Sequence, residues 1–168
     1  MTRSKMKKVL SLLIVCVLIG CSSENRFHID EVTNPTDKLC YIKSTMSVLS
    51  GVVYNDFGDL GLYVNGEVDG LHRSWYENGQ LKLERNYTDG ELNGLLKVWY
   101  ENGQLKIEMN YKDDKFDGLT KTWYENGQLE FERNYTDGEL NGLLKWWNEN
   151  GQLISKVNYD NGLIEKYY

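Results

Sequence analysis

From Trp75 onward, apolar and polar residues alternate in short runs, and the pattern returns every 24 positions: "WYENGQLKLERNYTDGELNGLLK" (Trp75 to Lys97) is followed by three near copies. Alternation with a period of two predicts half-buried β-strands. Each copy carries a tryptophan (Trp75, Trp99, Trp123, Trp147) followed two residues later by Glu-Asn-Gly-Gln-Leu. An Asn-Gly pair between two alternating runs is a strong hairpin signal, so each unit is predicted to be a β-hairpin folded at Asn78-Gly79, Asn102-Gly103, Asn126-Gly127 or Asn150-Gly151.

A two-residue turn writes the register down: Tyr76 faces Leu81, Trp75 faces Lys82, Arg73 faces Glu84 and Gly70 faces Tyr87. It opposes Lys97 to Glu108 and Lys121 to Glu132, pairs that support antiparallel strands, and sets Lys145 against Lys156 in the last unit. It also brings Tyr111, Tyr135 and Tyr159 opposite Gly94, Gly118 and Gly142, where a ring is expected to cover a bare backbone. In the third unit one face then holds Leu96, Val98, Tyr100, Leu105, Ile107, Met109 and Tyr111, an apolar packing face. The other mixes Leu95, Lys97, Trp99, Lys106, Glu108 and Asn110. Between units Asp89-Gly90 predicts a second turn, and Asp113-Asp114 stands where the third unit lacks that glycine, so its turn is expected to differ. Two strands at about 4.8 Å each advance the chain roughly 10 Å per unit. The expected fold class is all-β, an elongated single-layer antiparallel sheet of tandem 24-residue hairpins that bury their faces by stacking.

The segment before the repeats is less regular. "YVNGEVDGLHRSWY" (Tyr63 to Tyr76) already matches "YTDGELNGLLKVWY" (Tyr87 to Tyr100), so residues 39–62 are read as a β cap with a degenerate repeat and 63–168 as the repeat domain. Residues 21–38 are polar, hold the one proline, and are read as a tether. Residues 1–20 have a different character: Arg3, Lys5, Lys7 and Lys8 precede an eleven-residue apolar run, Val9 to Ile19, the layout of a secretory signal and too short to span a bilayer. The run ends in Leu18-Ile19-Gly20-Cys21, which resembles the lipobox of bacterial lipoproteins. That resemblance implies cleavage before Cys21, lipid attachment to it, and a mature protein held at a membrane in the bacterial cell envelope, on the periplasmic side of the inner membrane or at the outer membrane. Cys16 leaves with the signal, so Cys40 has no intramolecular disulfide partner and is read as a small buried hydrophobe.

Composition narrows the function. The net charge is −6 over 168 residues, and the first twenty residues contribute only cations, so the repeats are the acidic part and nucleic acid is a poor partner. The two histidines, His28 and His72, fall in the tether and in a strand and form no pair for a metal or a base. No Gly-x-Ser-x-Gly or phosphate-binding glycine loop occurs. "DGELNG" at Asp89 and Asp137 echoes a calcium loop, but the twelfth position is Tyr100 or Asn148 where a bidentate glutamate is needed, and hairpin turns explain the motif without an ion. The chain is therefore read as a non-enzyme with no cofactor and no metal. The candidate ligand surface is Trp75, Trp99, Trp123 and Trp147, four indoles about 10 Å apart that can stack against an extended ligand. The competing reading packs each indole over Leu71, Leu95, Leu119 or Leu143 of its own sheet.

The units, for example "GLLKVWYENGQLKIEMNYKD", resemble the bacterial variant of the MORN repeat over Leu62 to Tyr168. The resemblance implies an elongated antiparallel sheet used for binding or assembly, with membranes and protein partners linked to relatives. The expected function is a lipid-anchored scaffold for a protein or an extended polymer. The alternative is an antitoxin-like protein that neutralises a toxin by direct binding, since some bacterial proteins of this type carry an antitoxin label.

Overall fold

In the computed structural model, residues 25–33, 41–42, 44–45 and 47–167 are described. The signal segment, Cys21 and Cys40 lie outside these residues. Strand β1 (Arg26–His28) leads through a single 3-10 turn (Ile29–Glu31) to β2 (Val32–Thr33), β3 (Tyr41–Ile42) and β4 (Ser47–Val48), and the last three form a small sheet in the order β2-β3-β4. The large sheet then follows: β5 (Gly51–Asn55), β6 (Gly58–Val64), β7 (Glu67–Trp75), β8 (Leu81–Thr88), β9 (Glu91–Leu92), β10 (Gly94–Trp99), β11 (Leu105–Lys112), β12 (Lys115–Phe116), β13 (Gly118–Trp123), β14 (Leu129–Thr136), β15 (Glu139–Leu140), β16 (Gly142–Trp147), β17 (Leu153–Asp160) and β18 (Leu163–Tyr167). Its order is β1-β5-β6-β7-β8-β10-β11-β13-β14-β16-β17-β18, with β9, β12 and β15 as short second partners of β8, β11 and β14. From β5 onward neighbours in the chain are neighbours in space, as stacked hairpins require. The sheet is mixed, because β1 runs parallel to β5 while the hairpins are antiparallel.

Residues 26–33, read from sequence as tether, are folded. Phe27 pairs with Val53, and Arg26 grips Asp59 through both guanidinium nitrogens. Phe27, Val32, Ile42, Leu60 and Tyr63 surround Leu49 and Val53, which are 0% and 3% exposed. Among the described residues this cluster holds the most fully buried side chains, because here the small sheet packs against the large one. In the repeats the sheet is one layer thick and most side chains are half-buried on one side or the other.

The hairpins hold the predicted register in the strands and depart from it at the turn. Arg73 opposes Glu84, Gly70 opposes Tyr87, and the equivalents recur in every unit. Near the turn, however, Trp75 opposes Leu81, and Tyr76 N–H donates to the Gln80 carbonyl at 2.8 Å. The loop is therefore three residues, Glu77-Asn78-Gly79, closed by Gly79 N–H on the Tyr76 carbonyl at 3.0 Å, and only the glycine takes positive φ (+83°). Asn78 instead accepts from Gln80 N–H through Oδ1 at 2.9 Å. A three-residue loop shifts the register by one, and the extra residue Lys82, opposite Ser74 and Trp75, shifts it back. The two offsets cancel, which is why a two-residue turn still gives correct pairs from Ser74 outward.

The turns with two positive-φ residues are the other ones: Asn65-Gly66 (51°, 84°), Asp89-Gly90 (51°, 83°), Asp137-Gly138 (51°, 91°) and Asn161-Gly162 (48°, 77°). Asp113-Asp114 was expected to differ and does not, at 50° and 62°. Its side chains offset the missing glycine: Asp114 Oδ1 accepts from Leu92 N–H at 2.7 Å and Asp113 Oδ1 from the Asn93 amide at 3.2 Å.

The units are joined along both margins of the sheet. On one, Gly90, Asp114, Gly138 and Gly162 N–H donate to the carbonyls of Val68, Leu92, Phe116 and Leu140 in the preceding unit. On the other, the hydroxyls of Tyr76, Tyr100 and Tyr124 donate to the carbonyls of Trp99, Trp123 and Trp147 in the next unit at 2.7–2.9 Å. Asn78, Asn102 and Asn126 reach Glu101, Glu125 and Glu149 in the same way. In the last unit Asn148 replaces the tyrosine and its Oδ1 accepts from the N–H groups of its own loop, Asn150 and Gln152. Between the margins Asn93-Gly94 swings the strand away from β8, and the Asn86 amide fills the gap by donating to the Leu95 carbonyl at 2.8 Å, as Asn110 does to Leu119 at 2.9 Å.

Candidate functional site

The bulge at Lys82 and its equivalents decides what accompanies each tryptophan. Along β10 the alternation Leu95, Lys97, Trp99 is unbroken, so the indole shares a face with the lysine as expected. On the facing strand the extra residue exchanges two neighbours: Leu105 lies opposite Trp99, and Lys106 moves to the other face, its Nζ 5.1 Å above the Tyr100 ring. Lys82 does the same over Tyr76 at 5.4 Å. Leu105 was assigned to the packing face and Lys106 to the mixed one, and both assignments are reversed. The tryptophan face therefore carries a cross-strand row of Trp-Leu pairs, Trp75 with Leu81, Trp99 with Leu105, Trp123 with Leu129 and Trp147 with Leu153. All four indoles are half-buried.

Beside this row runs a line of alternating charge. Arg73, Glu84, Lys97, Glu108, Lys121, Glu132, Lys145 and Lys156 follow one another across the strands, each glutamate flanked by a cation of its own hairpin and one of the next. Arg73 Nε binds Glu84 at 3.0 Å and Lys97 lies 3.6 Å from Glu108. Glu132, expected to hold Lys121 opposite it, instead holds Lys145 of the next unit at 2.6 Å. These pairs are partly solvated and each contributes at most about 1 kcal/mol, so the line favours the strand register more than it adds to stability. Leu119 and Leu153, on the same face, remain 40% and 47% exposed. On this face, then, partly exposed apolar side chains are bordered by fixed charge.

The opposite face was expected to be almost wholly apolar; the bulge turns Lys82 and Lys106 onto it, and its middle row is apolar only in alternate units. One row across it reads His72-Arg85, Leu96-Met109, Thr120-Arg133, Leu144-Val157. His72 is 6% exposed, between the rings of Tyr63 and Tyr87 at 5.1 and 5.3 Å. Its Nε2–H donates to the Leu62 carbonyl at 2.6 Å, and burial lowers its pKa from the ordinary 6.5, with the Arg85 charge acting in the same direction. At Gly70 and Gly94, which face Tyr87 and Tyr111, no ring atom comes within 4 Å of where a side chain would begin. Those glycines are required by their φ of +65° and +100°, where the strand bends. The rings also pack on one another, Tyr111 on Phe116 at 4.9 Å and Phe116 on Tyr135 at 5.1 Å. Burial also raises the pKa of Tyr100, helped by Glu130 and Glu125, and that of Tyr111, helped by Asp114.

Among the described residues no three His, Cys, Asp or Glu side chains are grouped to hold a metal ion, and no helix is long and apolar enough to cross a membrane. No curated protein matches the chain. The sequence profile of the MORN repeat variant matches residues 68–89, 92–113, 116–137 and 140–161. Each matched segment runs from just after one tight Asn-Gly, Asp-Gly or Asp-Asp turn to the first residue of the next, so the profile's unit is one hairpin of this sheet. With four such hairpins covering more than half of its length, the chain belongs to the MORN repeat variant family.

Proposed function

We propose that this protein is a binding scaffold of the bacterial cell envelope, anchored through lipid on Cys21, which presents its tryptophan face to a protein or an extended polymer and carries out no catalysis. The observation that carries this reading is the Trp-Leu row beside the charged line, with leucines of the same face left open to solvent. Indoles supply large contact area with few rotatable bonds, and a row at a fixed pitch suits a ligand that is itself extended. The anchor follows from the lipobox-like Leu18-Ile19-Gly20-Cys21.

Capture of the lipidated protein with its partners from its own envelope tests the reading. Trp99→Ala together with Trp123→Ala is expected to abolish co-purification of the partner while the thermal transition moves by only a few degrees. A large loss of stability with partner retained would make the indoles packing groups. Cys21→Ser is expected to release the protein into the soluble fraction. An unmodified Cys21 in a cytosolic protein would favour the toxin-neutralising alternative.

A further inference from the structure

We propose that the face opposite the tryptophans is a second binding surface, one that takes a protein segment bearing two separated carboxylates, with Arg85 and Arg133 as its two contacts. Arg26 and Arg73 are paired with Asp59 and Glu84, whereas among the described residues Arg85 and Arg133 have neither an ion pair nor a hydrogen bond. Each is pressed against a ring, Arg85 5.5 Å above Tyr87 and Arg133 4.4 Å above Phe131. In both, Nε is buried and unpaired while the outer guanidinium nitrogens are not, so those nitrogens reach solvent. A cation desolvated on one side and unmatched by any anion is costly, and a carboxylate laid on its outer nitrogens offsets that cost.

A third unmatched group lies beside the second arginine. Thr120, 5% exposed, stands directly across from Arg133, and its hydroxyl has no partner. Glu130, on the same strand as Arg133, does not reach it and accepts from the Thr122 hydroxyl at 3.2 Å instead. Between the two arginines the row is filled by Leu96 and Met109, and four strand steps separate β8 from β14, a span of about 19 Å. An extended peptide covers that distance in roughly six residues, so it would present acid, apolar stretch, acid. A continuous polyanion fits less well. Its charges would fall on the apolar middle of the row, and both margins of the sheet carry acids such as Glu77, Glu101, Asp89 and Asp137.

The test uses the full chain and three probes measured by fluorescence anisotropy at low and moderate salt: a seven-residue Val/Thr peptide with glutamate at both ends, its isomer with the glutamates adjacent, and inorganic polyphosphate. The spaced peptide is expected to bind best and to weaken with salt, and R85Q and R133Q to lose roughly tenfold each. The Arg85 and Arg133 Nε–H resonances should shift on binding, and both variants should melt like the parent. Trp99→Ala should bind the peptide normally, which separates this surface from the one proposed for the tryptophans. Absence of binding by the parent, equal binding by the glutamine variants, no preference for the spaced peptide, or tighter binding of polyphosphate would each overturn the proposal.

Discussion

At the scale of single residues, the informative positions are those where one unit departs from its copies. His72 occupies the place held by Leu96 and Leu144, and Gly61 is a glycine because of it: a side chain at Gly61 would begin 2.3 Å from the imidazole, which is confined between two tyrosines. Gly61→Ala is expected to destabilise the fold by about 1–3 kcal/mol, measured by urea unfolding, and combining it with His72→Ala should recover part of the loss. The lowered pKa of His72 has a defined sign. The unfolded chain binds the proton more readily, so the stabilisation due to a neutral His72 is complete above pH 6.5 and is lost as pH falls through the lower folded-state value. The melting temperature should drop on acidification below about pH 6.5, and His72→Leu should flatten that part of the profile. Asp114 gives a third case. Asp114→Ala keeps the positive φ and loses the bond to Leu92 N–H, a cost of about 1–2 kcal/mol, whereas Asp114→Gly relieves the backbone and should be close to neutral.

At the scale of elements, the weak place is the joint between hairpins. Within a hairpin β10 and β11 pair over six positions, while β8 and β10 of adjacent hairpins pair at only two. Side chains complete the joint, above all the tyrosine hydroxyl that reaches the next unit's tryptophan carbonyl. Tyr100→Phe removes one such bond, between the β10–β11 hairpin and the β13–β14 hairpin, and is expected to cost about 0.5–1.5 kcal/mol in urea unfolding. The same change in the last unit has no counterpart, since Asn148 already serves its own loop there. The bulge at each tryptophan is equally a device of the element: it turns a leucine toward the indole and a lysine toward the tyrosine, so the two faces differ in chemistry more sharply than alternation alone would give.

At the scale of the whole molecule, a stack in which each hairpin touches its neighbours should tolerate a change of length. Deleting Tyr100 to Trp123 joins Trp99 to Tyr124 in register. The shortened protein is expected to fold with a cooperative melt and a maximum dimension reduced by about 10 Å in X-ray scattering. Much of this architecture is present in the chain itself. The 24-residue interval, the strand register from Arg73-Glu84 outward and the placing of the indoles on the charged face follow from a period-two pattern, because alternation and pairing are local and each copy repeats the same test. Tertiary structure decided three things. It placed the positive-φ pairs at Asp89-Gly90 and its equivalents and gave Asn78-Gly79 a longer loop, because the bulge that restores register is visible only when both strands are seen together. It drew residues 26–33 into the cap, since a polar segment can still add a strand when a sheet edge and an apolar cluster await it. It also showed which charges are matched and which are not: Glu132 turned to Lys145, and Arg85 and Arg133 were left against rings, because pairing depends on the neighbouring hairpin as much as on the residue across the strand.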